Sequence, residues 1–448
     1  MEIQLTADQI LTMAPDASSA TAGKKLGTSK PWKNVGQNPE VLWGECQGSA
    51  LYQVRVDLTT LAIHCTCPSR KQPCKHGLGL LLLAVNNPSS VPASEEPPDW
   101  IVSWLNKRAA ASKRKETKEA EEALTSQPNV ASPGGTSTQR KSAGKRLAQV
   151  TQGIERLNLW LNDLARNGLG SLETQPAKFW EDQAKQMVDA QAPGLASRLR
   201  RMAAIPNASA DWPAKLLAQL GQLALLTQAF HRLDQLEPAL QEDVRLMIGW
   251  NLREDEVITR GEQVTDEWLT IGQVVDEVER GRTQRVWLLG TATQRPALII
   301  QFAPPGGSFP EAFTAGVRQK ARLVYWPSAS PQRALIGHRL GSVTSVQEHL
   351  PGPTSIEAFL HQAATEMARL PWRERFLCTL QDVTPVYESE SRRWYVRDSH
   401  GQALPLVSGE HWRLLALSGG LPIDFAGEWN GETLLPLGAL TEGTYHIV

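Results

Sequence analysis

Residues 65–76, CTCPSRKQPCKH, contain three of the five cysteines of the chain together with one histidine. One residue separates Cys65 from Cys67, one residue separates Cys74 from His76, and six residues lie between the two pairs. Zn²⁺ is commonly held by thiolate sulfur and imidazole nitrogen, with four ligands in a tetrahedron. The spacing therefore predicts one zinc ion bound by Cys65, Cys67, Cys74 and His76.

Four protein ligands leave no open coordination position for water, so the expected role of this zinc is structural and not catalytic. Structural zinc contributes roughly 10–16 kcal/mol of apparent binding free energy in small modules. That exceeds the stability of many domains, and we therefore expect residues 40–90 to lose order when the metal is removed.

Three other interpretations of the cluster have less support. A redox pair usually has the spacing C-x-x-C, whereas this chain has C-x-C. A nucleophilic Cys–His pair would be crowded by two further thiols, and no acid that could orient the histidine is evident. The remaining interpretation is an unrelated group of buried cysteines.

The flanking sequence predicts how the four side chains meet. YQVRV alternates between two faces, LAI is β-prone and DLTT between them is turn-like, so strands are expected before Cys65. Residues two apart on a strand point to one face, which places the sulfurs of Cys65 and Cys67 together. KHGLGLLLLAVNN is typical of a buried helix that begins at His76. A strand-end pair is thus expected to face a helix-start pair.

The pattern C-x-C-x₆-C-x-H resembles the SWIM zinc finger, and the flanks WGECQGS, YQVRVDL and CPSRKQPCKHGLGLLLL are similar to bacterial SWIM zinc finger proteins. WLNDLARNGL and MVDAQAPGLASRLR are similar to helical segments of the same family, so the resemblance covers at least residues 1–250. It implies zinc binding by Cys65, Cys67, Cys74 and His76, a β-hairpin and a helix around the metal, and a role in binding DNA or proteins. Such proteins resemble partners of MoxR-type AAA ATPase and von Willebrand A-domain systems, which implies a shared complex.

The remaining cysteines and a nearby histidine are expected to pack and not to bind metal. Cys46, in GECQG, is either a buried thiol or an extra ligand, and we favour packing because four ligands already exist. Strand alternation turns His64 away from Cys65. Cys378, in RFLCTL, is interpreted as a buried strand residue.

Arg70, Lys71 and Lys75 lie on or beside the metal loop and are candidate contacts to nucleic-acid phosphate. The same charges could instead offset the negative charge of three thiolates. A second basic segment, including Lys107 and Arg108, begins the stretch that follows, but EAEE partly cancels it. Solvated charge is the favoured interpretation of both segments.

Changes in composition and hydrophobic periodicity along the chain predict an α+β multidomain protein. We expect a small zinc-stabilised β-hairpin and helix module at 1–105 with its finger core at 51–87. A flexible charged linker rich in Ser, Gly and Pro follows at 106–147, then a helical region at 148–262 and an antiparallel β-rich region at 263–448. The helical region includes Ile154, Leu157, Leu161 and Leu164 on one face, a break at Pro193, and a helix start at Asp211.

Composition limits the class of protein. The chain has 46 basic and 47 acidic residues, so bulk charge does not suit it to nucleic acid. The N-terminus lacks the pattern of a secretory signal. The longest apolar run of the chain, LGLLLLAV at 78–85, is far below the ~18–20 residues of a membrane span. The chain has five cysteines, whereas a secreted disulfide framework would use an even number. These observations together favour a cytoplasmic protein.

We weigh three functions. The leading hypothesis is a non-catalytic zinc protein that serves as an interaction module or scaffold for a protein partner, of unknown oligomeric state. The second is a DNA- or RNA-binding protein that uses the finger loop and the basic linker. An enzyme is the least favoured, because the sequence has no phosphate-binding loop, H-E-x-x-H or G-x-S-x-G.

Overall fold

The computed structural model describes residues 5–69, 71–94, 96–107, 137–278, 280–346 and 349–448 of the 448-residue chain. Arg70, Arg108 and most of the predicted linker lie outside these residues. In the part that is described, the prediction of an α+β fold with three successive regions is confirmed: an N-terminal finger module, a central helical region and a C-terminal β-rich region. The domain boundaries proposed above remain predictions.

The N-terminal module consists of a helical layer on a small antiparallel sheet. It contains α1 (Ala7–Thr12), α2 (Ala17–Leu26), β1 (Trp32–Gln37), β2 (Val41–Gln47), β3 (Leu51–Asp57), β4 (Ile63–Cys65), α3 (Lys75–Asn86) and the helical residues 99–107, α4. The four strands pair in sequence order. The leucines of α3 fill the core between the sheet and the other helices, and for that reason KHGLGLLLLAVNN is apolar on all sides.

The central region is a bundle of amphipathic helices. Its elements are α5 (Ser137–Asn167), α6 (Ala177–Asp189), α7 (Pro193–Met202), α8 (Trp212–His231), α9 (Pro238–Ile248) and α10 (Glu254–Arg260). Ile154, Leu157 and Leu164 are buried in its core, as their spacing predicts. The chain breaks before Pro193 as expected, because proline has no N–H for a preceding turn.

Two details of the helical region differ from the sequence prediction. Helix α5 begins at Ser137 and therefore includes the last eleven residues, 137–147, of the segment assigned to the linker. Gln, Arg, Lys and Ala in this stretch favour helix, and Val150 of the same helix anchors it in the bundle core. Asp211 does precede α8, but its carboxylate makes an ion pair with Lys215 at 3.2 Å in place of a cap hydrogen bond.

The C-terminal region contains two packed antiparallel sheets. The first has the strand order β7-β6-β5-β8-β9 and is built from β5 (Gln263–Val278), β6 (Gly281–Gly290), β7 (Pro296–Ala303), β8 (Val317–Tyr325) and β9 (Ala334–Ser345). The second has the order β12-β11-β10-β13-β14-β15 and is built from β10 (Phe376–Glu388), β11 (Arg393–Arg397), β12 (Ala403–Pro405), β13 (Ile423–Trp429), β14 (Leu434–Thr441) and β15 (Thr444–Ile447). Leu269 and Ile271 of the first sheet share a core with Ala426 and Leu437 of the second.

The β-rich region also contains two helices that the sequence analysis did not predict, α11 (Ile356–Arg369) and α12 (Trp412–Ser418). Ser355 caps α11 by accepting a hydrogen bond from the Ala358 N–H at 3.1 Å, and Ile356, Phe359 and Ala363 form its buried face. These spacings were a readable helical signal inside a segment dominated by strands.

No helix among the described residues has the length and apolar content needed to cross a membrane.

Candidate metal centre

Cys65 and Cys67 are positioned by the last strand of the finger sheet. Cys65 ends β4 and is paired with Val54 of β3, and the Cys67 N–H donates to the Cys65 sulfur at 3.4 Å. Thr66 is exposed on the opposite side, where its Oγ1 accepts from the Gln53 N–H at 2.9 Å. The one-residue spacing therefore brings both sulfurs to one face, as strand geometry predicts.

Cys74 and His76 are positioned by the start of α3. Cys74 is the residue before the helix and has an extended backbone, and His76 is the second helical residue. Both side chains are buried, whereas Cys65 and Cys67 are half-buried. The centre thus lies under the protein surface with its strand side closer to solvent.

The four donor atoms lie close enough to share one ion. All of them are within 4.8 Å of one another, and the Cys65 Sγ is 3.7 Å from the His76 Nδ1. A tetrahedron with Zn–S of ~2.3 Å and Zn–N of ~2.0 Å would separate its ligand atoms by roughly 3.6–3.8 Å. The residues present therefore fit one zinc ion, and their chemistry, three sulfurs and one imidazole, is that of a structural site.

The start of α3 favours the thiolate form of Cys74. A hydrogen bond from the Cys65 thiol lowers the pKa of Cys74 and raises that of Cys65, and the N–H groups of His76 and Gly77 lower the pKa of Cys74 further. Helix N-termini stabilise negative charge because their N–H groups are otherwise unpaired. Metal binding requires deprotonated sulfur, so this helix start prepares one ligand for zinc.

Contacts behind the ligands hold the histidine in place. The Tyr52 ring lies on the His76 ring with a centroid separation of 5.0 Å, and the Tyr52 hydroxyl is hydrogen-bonded to Ser49 Oγ at 2.6 Å. A Cβ at Gly77 would be 2.1 Å from Cγ2 of Ile63. Only glycine therefore allows α3 to approach β4 closely enough for His76 to reach the two strand cysteines.

Helix α2, which sequence analysis did not identify, supports α3 from the other side. A Cβ at Gly23 would meet the Leu78 Cβ at 2.8 Å, and a Cβ at Gly79 would meet the Leu26 Cβ at 2.6 Å. These glycines permit close packing of the two helices. The available signal was Asp16 followed by small residues, since Asp16 caps α2 by accepting the Ser19 N–H at 2.8 Å.

The three cations near the metal loop have different surroundings. Lys71 makes an ion pair with Asp16 at 2.8 Å, and this hydrogen bond is the main reason that the pKa of Asp16 is lowered. The loop is thereby joined to the start of α2. Lys75 is exposed at the start of α3, and Arg70 is outside the described residues.

Cys46, His64 and Cys378 do not join the four-donor group. Cys46 is fully buried in the core of the finger module opposite Tyr52, where burial raises the pKa of its thiol. His64 is exposed and pairs with Arg55 across the sheet. Cys378 is buried in β10, as its apolar neighbours predicted.

Comparison with known protein families gives two matches. A family model described as the SWIM zinc finger matches residues 52–84, which include all four proposed ligands. A second, described as the SWIM-associated four-helix bundle domain, matches residues 145–248, which lie within α5 to α9. No curated protein and no solved structure matches the chain. The chain therefore carries a SWIM zinc finger, with Cys65, Cys67, Cys74 and His76 positioned for one zinc ion, followed by a SWIM-associated four-helix bundle domain.

Proposed function

We propose that this chain is a non-catalytic scaffold in which the zinc finger organises the N-terminal module and the bundle binds a protein partner. The observation that carries the proposal is an apolar stripe on the outside of the bundle. Leu217 and Leu225 of α8 are 61% and 47% exposed, and Leu159 of α5 is 66% exposed. Exposed apolar side chains that group together are typical of interaction sites.

The two exposed leucines of α8 are separated by a glycine. Leu217, Gly221 and Leu225 are four residues apart and so lie on one face of the helix. A Cβ at Gly221 would have no atom within 4 Å, which leaves a gap between the two leucines. An apolar side chain of a partner fits such a gap.

Support for a non-catalytic finger comes from the ligand set. All four zinc positions are supplied by protein, so the ion has no position at which to polarise a substrate or activate water. One buried ligand pair and one half-buried pair are consistent with a metal that joins a hairpin to a helix.

We propose a MoxR-type AAA ATPase or a von Willebrand A-domain protein as the partner class, which rests on the family resemblance. The nucleic-acid alternative has weaker support. Lys71 is in an ion pair with Asp16, and the chain carries a net charge of −1.

The test is co-purification of the tagged full-length chain from its native cell, with a double variant and a matched control. Leu217→Glu/Leu225→Glu places charge on the stripe, whereas Leu421→Glu changes a leucine that is 68% exposed elsewhere on the chain. We expect a stoichiometric ATPase or A-domain protein with the wild type and the L421E control, and its loss with the double variant. Equal recovery by all three proteins would exclude the α8 stripe, and recovery of nucleic acid without a stoichiometric protein would favour the alternative.

A further inference from the structure

A cavity of about 330 Å³ lies where the helical bundle meets the first sheet of the C-terminal region. Its walls come from α7, from α9, from the segment 326–333 that follows β8, and from the segment 370–375 that precedes β10. Cavities of this size are at the small end of the range that holds small-molecule ligands. The zinc ligands do not line it.

Arginine is the dominant charged residue of this cavity, which we call the arginine cleft. Five arginines line it, against two carboxylates: Arg198, Arg201, Arg333, Arg373 and Arg375 face Asp243 and Glu374. Arg373 and Arg375 also pair with Glu366 and Glu428. Within the described ranges, these acids and those that line the cavity pair with four of the five arginines, all except Arg333, and Glu428 is also shared with Arg285.

The two lining carboxylates are already engaged. Glu374 binds both Arg198, at 3.4 Å, and Arg201, at 2.8 Å. Asp243 is buried and accepts the Ala329 N–H at 2.8 Å. Neither acid is hydrogen-bonded to Arg333 among the described residues.

Arg373 is held rigidly with one donor unused. Its residue is 9% exposed, and its Nη atoms donate to Glu366 at 2.7 Å, to Gln332 and to the Ser330 carbonyl. Its Nε has no hydrogen-bond partner. The guanidinium is thus fixed by protein on one edge while another donor lacks an acceptor.

Arg333 and Trp326 add two further donors of this kind. The Arg333 guanidinium lies 4.0 Å from the centroid of the Trp326 ring, and neither the Arg333 Nε nor the Trp326 Nε1 has a hydrogen-bond partner. Burial lowers the pKa of Arg333, and Glu254 of α10 is the acid that offsets this effect. Among the described residues, Arg333 is accordingly the lining arginine that makes no ion pair, and Glu254 acts on it without direct contact.

Three side chains that line the cleft therefore each contain an enclosed donor without a hydrogen-bond partner. A buried donor without a partner costs about 1–3 kcal/mol, and desolvated guanidinium groups cost more. Guanidinium groups bind phosphate and carboxylate oxygens with matching geometry. An oxyanion held between Arg333 and Arg373 would supply acceptors to both guanidinium groups and would give Arg333 the ion pair that it lacks among the described residues.

The rest of the lining indicates what accompanies the oxyanion. Leu246, Met247, Leu298 and Leu370 are apolar, and Trp372 has its Nε1 occupied by the Gln222 carbonyl at 3.0 Å. We propose that the arginine cleft is a binding site for a small molecule that carries a phosphate or carboxylate group on an apolar or planar body. Such a ligand would contact the bundle and the β-rich region at once, a role separate from the partner site on α8.

The experiment is isothermal titration calorimetry on the full-length zinc-loaded protein. The phosphate probes are inorganic phosphate and AMP, with adenosine as the neutral match. The carboxylate probe is hexanoate, with hexanamide as its neutral match. We expect an oxyanion probe to bind with one-to-one stoichiometry and its neutral match not to bind. Binding of phosphate or AMP would identify a phosphate site, and binding of hexanoate would identify a carboxylate site.

Variants locate the site. Arg333→Gln removes the lining arginine that makes no ion pair among the described residues, and we expect at least a tenfold weaker affinity, the effect of about one charged hydrogen bond. Arg282→Gln is the matched control, because Arg282 also lies over an aromatic ring, Phe309 at 5.3 Å, but does not line the cleft. Arg201→Gln provides a second lining variant at a side chain that is 58% exposed, and its partner Glu374 keeps the ion pair with Arg198.

The proposal is overturned in either of two ways. One is the absence of binding by every oxyanion probe at millimolar concentration to protein whose circular dichroism is native. The other is binding that R282Q weakens as much as R333Q and R201Q do.

Discussion

At the scale of single residues, the finger module contains four side chains positioned to bind the metal and one cysteine that is not. Cys65, Cys67, Cys74 and His76 form a group of donor atoms within 4.8 Å, while the nearby Cys46 is buried and does not belong to it. Strand alternation and the start of α3 account for this separation. Chemical type alone would not, because Cys46 is also a cysteine of the same module.

Cys74→Ser is expected to abolish stoichiometric zinc binding, because it removes a buried ligand and leaves three. Cys46→Ala is expected to keep one zinc per chain and to lower stability by only about 1 kcal/mol, the cost of a small cavity. Elemental analysis of reduced, purified protein measures both. Zinc retained at full stoichiometry by the C74S protein would contradict the ligand assignment, and zinc lost from C46A would make Cys46 part of it.

Two helical glycines should respond oppositely to a methyl group. Gly77→Ala is expected to destabilise the finger by about 1–3 kcal/mol, since its Cβ would overlap Ile63 at 2.1 Å. Gly221→Ala, in open space on α8, is expected to stabilise by about 0.5–1 kcal/mol. Thermal unfolding gives both signs. Ile63→Ala in the G77A background should recover part of the loss, and no recovery would show that the clash is not the cause.

At the scale of elements, a buried charge network joins the two sheets of the C-terminal region. Glu428 of β13 accepts from the Trp287 Nε1 at 2.8 Å, from Arg285 of β6 at 3.2 Å and from the Arg375 Nε at 3.1 Å. The carboxylate is 6% exposed. Trp287 and Arg285 both belong to β6 of the first sheet, whereas Arg375 directly precedes β10 of the second sheet, so the network joins the two sheets.

Glu428→Gln is expected to destabilise the protein by about 1–3 kcal/mol, because Arg285 and Arg375 lose a buried carboxylate that they share, while Arg285 keeps its ion pair with Asp276. Glu262→Gln is the matched control: Glu262 binds Arg295 at 2.6 Å but is 55% exposed, and the expected loss is at most about 1 kcal/mol. Denaturant unfolding followed by tryptophan fluorescence compares the two variants. Similar losses for both would mean that burial of the network contributes little.

At the scale of the whole molecule, the finger module is packed against the first C-terminal sheet. The Gln9 Nε2 donates to the Ala315 carbonyl at 3.4 Å, and Gln319 of β8 donates to the Thr59 carbonyl of the finger. Val317 of β8 belongs to the finger core. Zinc therefore organises a module whose core extends into a distant part of the chain.

Removal of zinc by a chelator is expected to increase hydrogen exchange first in α3, β3 and β4, and then in the parts of β8 and β9 that contact the finger. Strands β13 and β14 should keep their protection, because they pack on the other side of the first sheet. Hydrogen exchange read by mass spectrometry gives the order. Unchanged exchange at β8 and β9 after complete metal loss would show that the module and the sheet are energetically independent.

The sequence by itself determined the ligands, the hairpin and helix that present them, the bundle core and most strands, because each depends on spacing within one or two elements. It did not reveal α2, α11 or the contact between Lys71 and Asp16, since their signals are short or join segments 55 positions apart. Only the tertiary structure decided the packing of the finger on β8, the Glu428 network and the arginine cleft. Each of these features is formed by residues from segments that are far apart in the sequence. The distance between such segments is set by the packing of the whole fold, and no local sequence pattern predicts it.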